Sequence, residues 1–192
     1  MNKALFLDRD GVLDELVYYE SSSEWESRRT LADVKVIEGV AGPLQRFVDE
    51  DWLLVIITNQ PSYAKGKTSM QSLLDVHEEI VDRLDVEIAA SYLCFHHPDA
   101  IVEEFRVQCE CRKPRAQSLI DAARELEIDL ERSWMVGDQD SDLAAGRAAG
   151  CKVALIEHPR SAHKRGKVAP DLVVRDLEEL ATSLIPTSSV SS

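Results

Sequence analysis

The stretch Ala4-Leu5-Phe6-Leu7-Asp8-Arg9-Asp10-Gly11 sets the reading of the whole chain. Four apolar residues are strand-sized, and they end abruptly on two carboxylates and a glycine. On an extended segment, residues two apart point to the same side, so Asp8 and Asp10 are expected together. Like charges that close are costly unless a proton or cation stands between them. Magnesium is such a cation, and it prefers a few carboxylates, retained waters and phosphate oxygens. Taken alone, an Asp-x-Asp pair is equally a turn or a cap. The rest of the chain has to decide.

Outward from this stretch, short apolar runs alternate with helical patterns. Strands are expected at Leu53 to Thr58, Ser91 to Phe95, Trp134 to Val136, Lys152 to Ile156 and Leu172 to Val174. Helices are expected over Gly39 to Glu50, Met70 to Leu84, Ala116 to Leu126 and Ser141 to Ala149, the last closed by Gly150. Alternation of this kind predicts an α/β fold, a Rossmann-like parallel sheet flanked by helices. Ligands of such sheets lie beyond the carboxyl ends of the strands. Polar groups follow those ends here: Asp8 and Asp10, then Thr58 and Asn59, then Gly137, Asp138 and Asp142. Asp138 and Asp142 can complete a cation-binding cluster with the first pair.

Tyr18 to Thr30 reads as a serine-rich surface loop or flap, and His97 to Arg115 and His158 to Val168 lack a clear period. One domain is expected over residues 1–185, with a flexible tail over 186–192. The 192 residues carry a net charge of −13, which excludes nucleic acid and anionic lipid as general partners. Any phosphate site must therefore gather its own cations. No apolar run is long enough to span a membrane. Met1-Asn2-Lys3 leads straight into the first strand, so no signal peptide is expected and the cytoplasm is the expected compartment.

The four cysteines are Cys94, Cys109, Cys111 and Cys151. In a reducing compartment disulfides are not expected, and metal binding is the better question. Cys94-x-His96 precedes Cys109-x-Cys111 with twelve residues between. Three thiols and an imidazole suit a tetrahedral zinc with no open position, hence a structural one. His97 is an alternative imidazole. Lys113 lies two residues past Cys111, so the metal would pin the loop that presents it. Cys151 is expected to be buried packing.

Asp8-Arg9-Asp10-Gly11, Thr58-Asn59-Gln60, Lys113-Pro114 and Gly137-Asp138-x-x-x-Asp142 resemble, in order, the four motifs of the haloacid dehalogenase-like phosphatases. The resemblance implies that fold without a large cap domain. It implies Asp8 as nucleophile, Asp10 as general acid and base, and Thr58 and Lys113 as holders of the phosphoryl oxygens. It places magnesium on Asp8, the backbone carbonyl of Asp10, and Asp138. Asp142 is then a partner that supports the metal ligands from outside, or simply a helix N-terminal acid.

The run from Cys94 to Pro98, then Val102 to Arg106, then Cys109 to Pro114 resembles the D-glycero-D-manno-heptose 1,7-bisphosphate 7-phosphatases. Histidinol-phosphate phosphatases share the zinc arrangement, usually with a shorter gap between the ligand pairs. The resemblance prefers His96 as zinc ligand and implies Asn59, Lys65 and Arg112 as substrate contacts, with guanidinium suited to a second phosphate. Lys65 is otherwise a solvated lysine. A phosphorylated sugar is the partner so implied, and a monomer the state. Pro61-Ser62 and Gln139 depart from the usual Ser-Gly and lysine, and the segment from Leu13 to Ile37 is long. A zinc-stapled binding module and a catalytically dead scaffold are the rival readings; the acidic balance and the core set of residue types speak against them.

Overall fold

The computed structural model describes residues 1–185, so the tail expected at 186–192 lies outside the described residues. Strand β1 (Lys3–Leu7) is followed by an antiparallel hairpin, β2 (Val17–Tyr19) and β3 (Glu24–Glu26). Next come α1 (Ala41–Asp49), β4 (Trp52–Asn59), α2 (Met70–Leu84), β5 (Ala90–Cys94) and α3 (Gln117–Glu125). Then follow β6 (Trp134–Gly137), α4 (Asp140–Ala149), β7 (Lys152–Ile156), β8 (Leu172–Val174) and α5 (Leu177–Leu184).

Six strands form one sheet in the order β5-β4-β1-β6-β7-β8, with every pairing parallel. The chain runs from β1 outward to β4 and β5, then returns to the other side of β1 for β6. Beside β1 lies the switch point where such sheets hold their ligands. The carboxyl ends of β1, β4 and β6 thus stand next to one another.

Alternation along β1 divides the core. Leu5 and Leu7 face one side, where Leu44 and Phe47 of α1, Val76 and Ile80 of α2 and Leu177 and Leu180 of α5 cover the sheet. Ala4 and Phe6 face the other side, covered by Leu119 of α3 and Leu143 of α4. Both faces are dry, which is why Leu54 to Ile57 are apolar without a break. Local signals fix the helix ends. Ser69 caps α2 by accepting from the Ser72 N–H at 3.0 Å. Gly150 ends α4 at φ 92°, in the left-handed region that favours glycine.

Three segments differ from the expected pattern. The flap is a hairpin with regular pairing, Tyr18 opposite Trp25. The basic segment after β7 carries a short 3-10 helix, Pro159–Lys164. Helix α5 was not expected at all, although Asp176 caps it by accepting from the Glu179 N–H at 2.8 Å. No cap domain interrupts the sheet among the described residues. The hairpin occupies the position between β1 and α1.

Candidate active site

At the end of β1 the Asp8 N–H donates to the Val136 carbonyl at 2.9 Å, tying the turn to β6. Gly11 follows at φ +91°, and a Cβ there would stand 2.5 Å from Asp138 Oδ2. Only glycine allows the two acidic turns to close on each other. Gly137 works the same way, since a Cβ on it would meet Asp142 Cβ at 2.2 Å. The result is a buried cluster of Asp8, Asp138 and Asp142 whose oxygens lie within 4.8 Å of one another.

Both Asp138 oxygens are buried without a hydrogen-bond partner among the described residues. Burial and the nearby Asp8 push the Asp138 carboxyl up to about 6. Burial likewise pushes Asp8 up to about 7, against the pull of Lys113. A divalent cation between them would offset the repulsion that raises both carboxyls. Two hard oxygen donors with open lone pairs fit magnesium, which takes its remaining ligands from water, carbonyl or phosphate oxygens.

Lys113 reaches the same point from the loop after β5 and is 3% exposed. Its Nζ donates to Asp8 Oδ1 at 2.7 Å and to the Ile57 carbonyl at 2.7 Å, and pairs with Asp142 Oδ1 at 2.8 Å. Burial works against this charge, but Asp142 and Asp8 outweigh it and raise the lysine above its ordinary pKa. Asp142 also accepts from the Gln139 N–H at 3.1 Å, closing the first turn of α4. Asp142 thus both pairs with the lysine and caps the helix. Asn59, expected at the substrate, donates from Nδ2 to the Lys113 carbonyl and accepts from the Lys113 N–H at 3.1 and 3.2 Å. It braces the lysine while also lining the cavity.

Asp10 is held from behind. The guanidinium of Arg9 pairs with its Oδ1 at 3.1 Å, and Gln60 Nε2 donates to its Oδ2 at 2.6 Å. The Thr58 hydroxyl lies 3.4 Å from that oxygen and accepts from Gln60 at 2.8 Å. Thr58 is 1% exposed and lies beside the cavity rather than in its wall. Arg9 is wholly buried, so its charge acts on Asp10 with little screening by water.

The cysteine loop converges as well. Sγ to Sγ distances among Cys94, Cys109 and Cys111 are 3.5, 3.3 and 3.2 Å. His96 Nδ1 stands 3.6 Å from Cys111 Sγ and 4.0 Å from Cys94 Sγ. Ligand bonds of about 2.3 Å to sulfur and 2.0 Å to nitrogen make edges near these values in a tetrahedron, so the set fits a closed zinc site. His97 instead accepts from the Asp99 N–H through Nδ1 at 3.1 Å. Cys151 is buried away from the cluster, its thiol pushed up to about 12 by burial. Arg112, next to the zinc loop, donates to the His96 carbonyl at 3.3 Å.

A cavity of about 350 Å³ opens above Asp8 and Asp10, with Lys65, Arg112 and Lys164 among its lining residues. Burial and the neighbouring cations Lys67 and Arg112 hold the Lys65 pKa below its ordinary value. The β2–β3 hairpin supplies another wall through Glu24, Trp25, Glu26 and Ser27. Four contacts fix it. Glu26 pairs with Lys67 at 2.6 Å and Arg29 at 2.8 Å, Arg160 lies 3.9 Å over the Trp25 ring, and Arg28 pairs with buried Asp14 at 2.9 Å. Sequence reasoning missed this wall, and it missed Gln60, Arg9 and Lys164. The signal for Gln60 and Arg9 was their place inside the motifs. For the hairpin, Trp25 between two glutamates was the only mark.

Phosphoryl transfer through a carboxylate requires a nucleophile, a place for a divalent cation and a fixed lysine in one small volume. A parallel sheet that gathers all three at one edge, the carboxylates from the ends of β1 and β6 and the lysine from the loop after β5, defines the class of the haloacid dehalogenase-like phosphatases. A family model described as HAD-hydrolase-like matches residues 110–180. The D-glycero-beta-D-manno-heptose-1,7-bisphosphate 7-phosphatase of Haemophilus ducreyi is 35% identical over 183 residues, covering 93% of this chain and 96% of the relative. The Escherichia coli K12 protein of the same name is 34% identical over 188 residues, covering 94% and 93%. Among solved structures, the D,D-heptose 1,7-bisphosphate phosphatase of B. bronchiseptica, complexed with magnesium and phosphate, superposes with a TM-score of 0.79. It is 26% identical, with 95% of this chain and 97% of that one covered. The chain belongs to this phosphatase family and is a phosphoric monoester hydrolase.

Proposed function

We propose that the chain removes the 7-phosphate of D-glycero-D-manno-heptose 1,7-bisphosphate through a phosphoryl-aspartate on Asp8. The observation that carries the chemistry is the Asp8 carboxylate, buried at the cavity floor beside a cation-seeking Asp138 and 2.7 Å from Lys113. Asp8 Oδ attacks phosphorus, the bond to the sugar oxygen breaks, and Asp10 gives that oxygen a proton. Asp10 then takes a proton from water, which attacks the phosphoryl-aspartate and frees inorganic phosphate and Asp8. Asp8, Asp138 and the Asp10 carbonyl would hold a magnesium ion, which would supply positive charge between the attacking carboxylate and the phosphate. Lys113 holds a phosphoryl oxygen as charge shifts, and the Thr58 hydroxyl at the end of β4 faces Asp10 from beside the cavity.

The substrate rests on two supports. The relatives carry that name over nearly the whole chain. Lys65, Arg112 and Lys164 offer cations in the cavity for a second phosphate in an otherwise acidic protein. We place the activity in one domain over residues 1–185, acting as a monomer on a small molecule in the cytoplasm. Four free cysteines, three of them arranged for zinc, suit a reducing compartment. Nucleic acid and membranes have no place in the reading: net charge is −13, and no helix among the described residues is long and apolar enough to cross a membrane.

Phosphate release from both heptose bisphosphate anomers and from histidinol phosphate, with and without magnesium, tests this. The expected result is magnesium-dependent release with the highest kcat/KM on a heptose bisphosphate, abolished in Asp8→Asn. Preference for histidinol phosphate would overturn the substrate. Retained magnesium-dependent turnover in Asp8→Asn would overturn the nucleophile.

A further inference from the structure

We infer that Gln60 is the positioning residue for Asp10 during proton transfer, a role that deepens the proposed reaction and rests on it. Gln60 is 0% exposed at the end of β4. Its Nε2 makes the shortest contact to Asp10, 2.6 Å to Oδ2, and also donates to Thr58 Oγ1 at 2.8 Å. Arg9 holds the other Asp10 oxygen at 3.1 Å. With each oxygen tethered to a different strand end, the carboxyl plane of Asp10 is fixed relative to the cavity. A proton donor gains rate only while it stays within hydrogen-bond reach of the leaving oxygen, so a freely rotating carboxyl would lose much of its effect.

The cost of Gln60 points the same way. Its Oε1 is buried and has no partner among the described residues. An unmatched buried acceptor is unfavourable, and an apolar side chain of similar size would fill the space without it. Packing alone therefore does not call for glutamine at this position. The hydrogen bond to Asp10 does. Gln60 does not line the cavity, so it acts through Asp10 and not on the substrate.

A proton donor matters in proportion to how poor the leaving group is. 4-Nitrophenolate leaves with little help, whereas a sugar alkoxide needs the proton. The test compares kcat/KM, which reports the first phosphoryl transfer, for 4-nitrophenyl phosphate and a heptose bisphosphate in the wild type and Gln60→Met. General acid catalysis contributes about 100- to 10,000-fold, so loss of its positioning is expected to lower kcat/KM on the sugar phosphate by about 10- to 100-fold. The fall on the aryl ester is expected to stay within about threefold, by the same scale. Equal falls on both esters, or none on either, would overturn the role. Should Gln60→Met not fold, Gln60→Glu keeps the volume and sets an acceptor where the donor stood. The same selective loss is expected, and its absence overturns the role. A wild type inactive on both esters would instead overturn the phosphatase reading itself.

Discussion

At the scale of single residues, charge balance governs the site. Lys113 lies between Asp8 and Asp142 with almost no water around it. Removing one member of such a group leaves the others buried and unpaired. Lys113→Met is expected to lower kcat by about 100- to 1,000-fold through loss of a phosphoryl-oxygen donor. It is also expected to destabilise the fold by about 3–5 kcal/mol, because two carboxylates lose their cation. Steady-state kinetics and urea unfolding check the two effects separately. The residue types were legible in the motifs, since Asp8, Asp10, Asp138 and Lys113 all come together as their order implied. The roles of Gln60 and Arg9 were not, because their place inside the motifs does not say that both side chains are wholly buried against Asp10. Asn59, expected at the substrate, lines the cavity, and its amide also holds the Lys113 backbone, which the sequence did not announce.

At the scale of elements, strands and helices with a strong local period were readable, and Met70 to Leu84 matches its expected helix end to end. The hairpin was not, because what orders it is remote in sequence: Lys67 and Arg160 hold Glu26 and Trp25. Helix α5 was short enough, at eight residues, for its period to pass unnoticed beside the tail. Helix α2 also carries a pH response. Burial and the charge of Arg9 depress His77 to about 4 from 6.5, against a smaller opposite pull from Asp10. Between those values the unfolded chain holds a proton that the folded one refuses, so the His77 contribution is full above about 6.5 and falls as pH drops toward about 4. In Gln-substituted His77→Gln, the loss of stability between pH 7 and pH 5 is expected to be smaller than in the wild type. Urea midpoints across that range measure it, and an unchanged difference would count against the burial argument. The zinc loop gives a second response at this scale. Chelation frees the segment that presents Lys113, so both the melting temperature and kcat are expected to fall together, and zinc at about one equivalent is expected to restore them. Metal analysis with calorimetry and kinetics on the stripped and reloaded protein checks this.

At the scale of the whole molecule, the sheet order does the gathering. Because the chain switches sides at β1, segments distant in sequence meet: Asp8 from β1, Lys113 after β5 and Asp138 after β6. Two dry cores on the two faces of the sheet hold those strand ends in place, and the acidic surface leaves the cavity as the place where cations face the substrate. The parallel α/β architecture was legible from alternation alone, while the closeness of approach at Gly11 and Gly137 was visible only in three dimensions. All of this converges on one covalent bond. Acid quenching of the enzyme during turnover with magnesium, followed by borohydride reduction and peptide mass spectrometry, reads that bond directly, since an aspartyl-phosphate is reduced to homoserine. The expected result is homoserine at position 8, dependent on both substrate and magnesium. Sustained turnover with Asp8 left unmodified at every quench time would contradict the account.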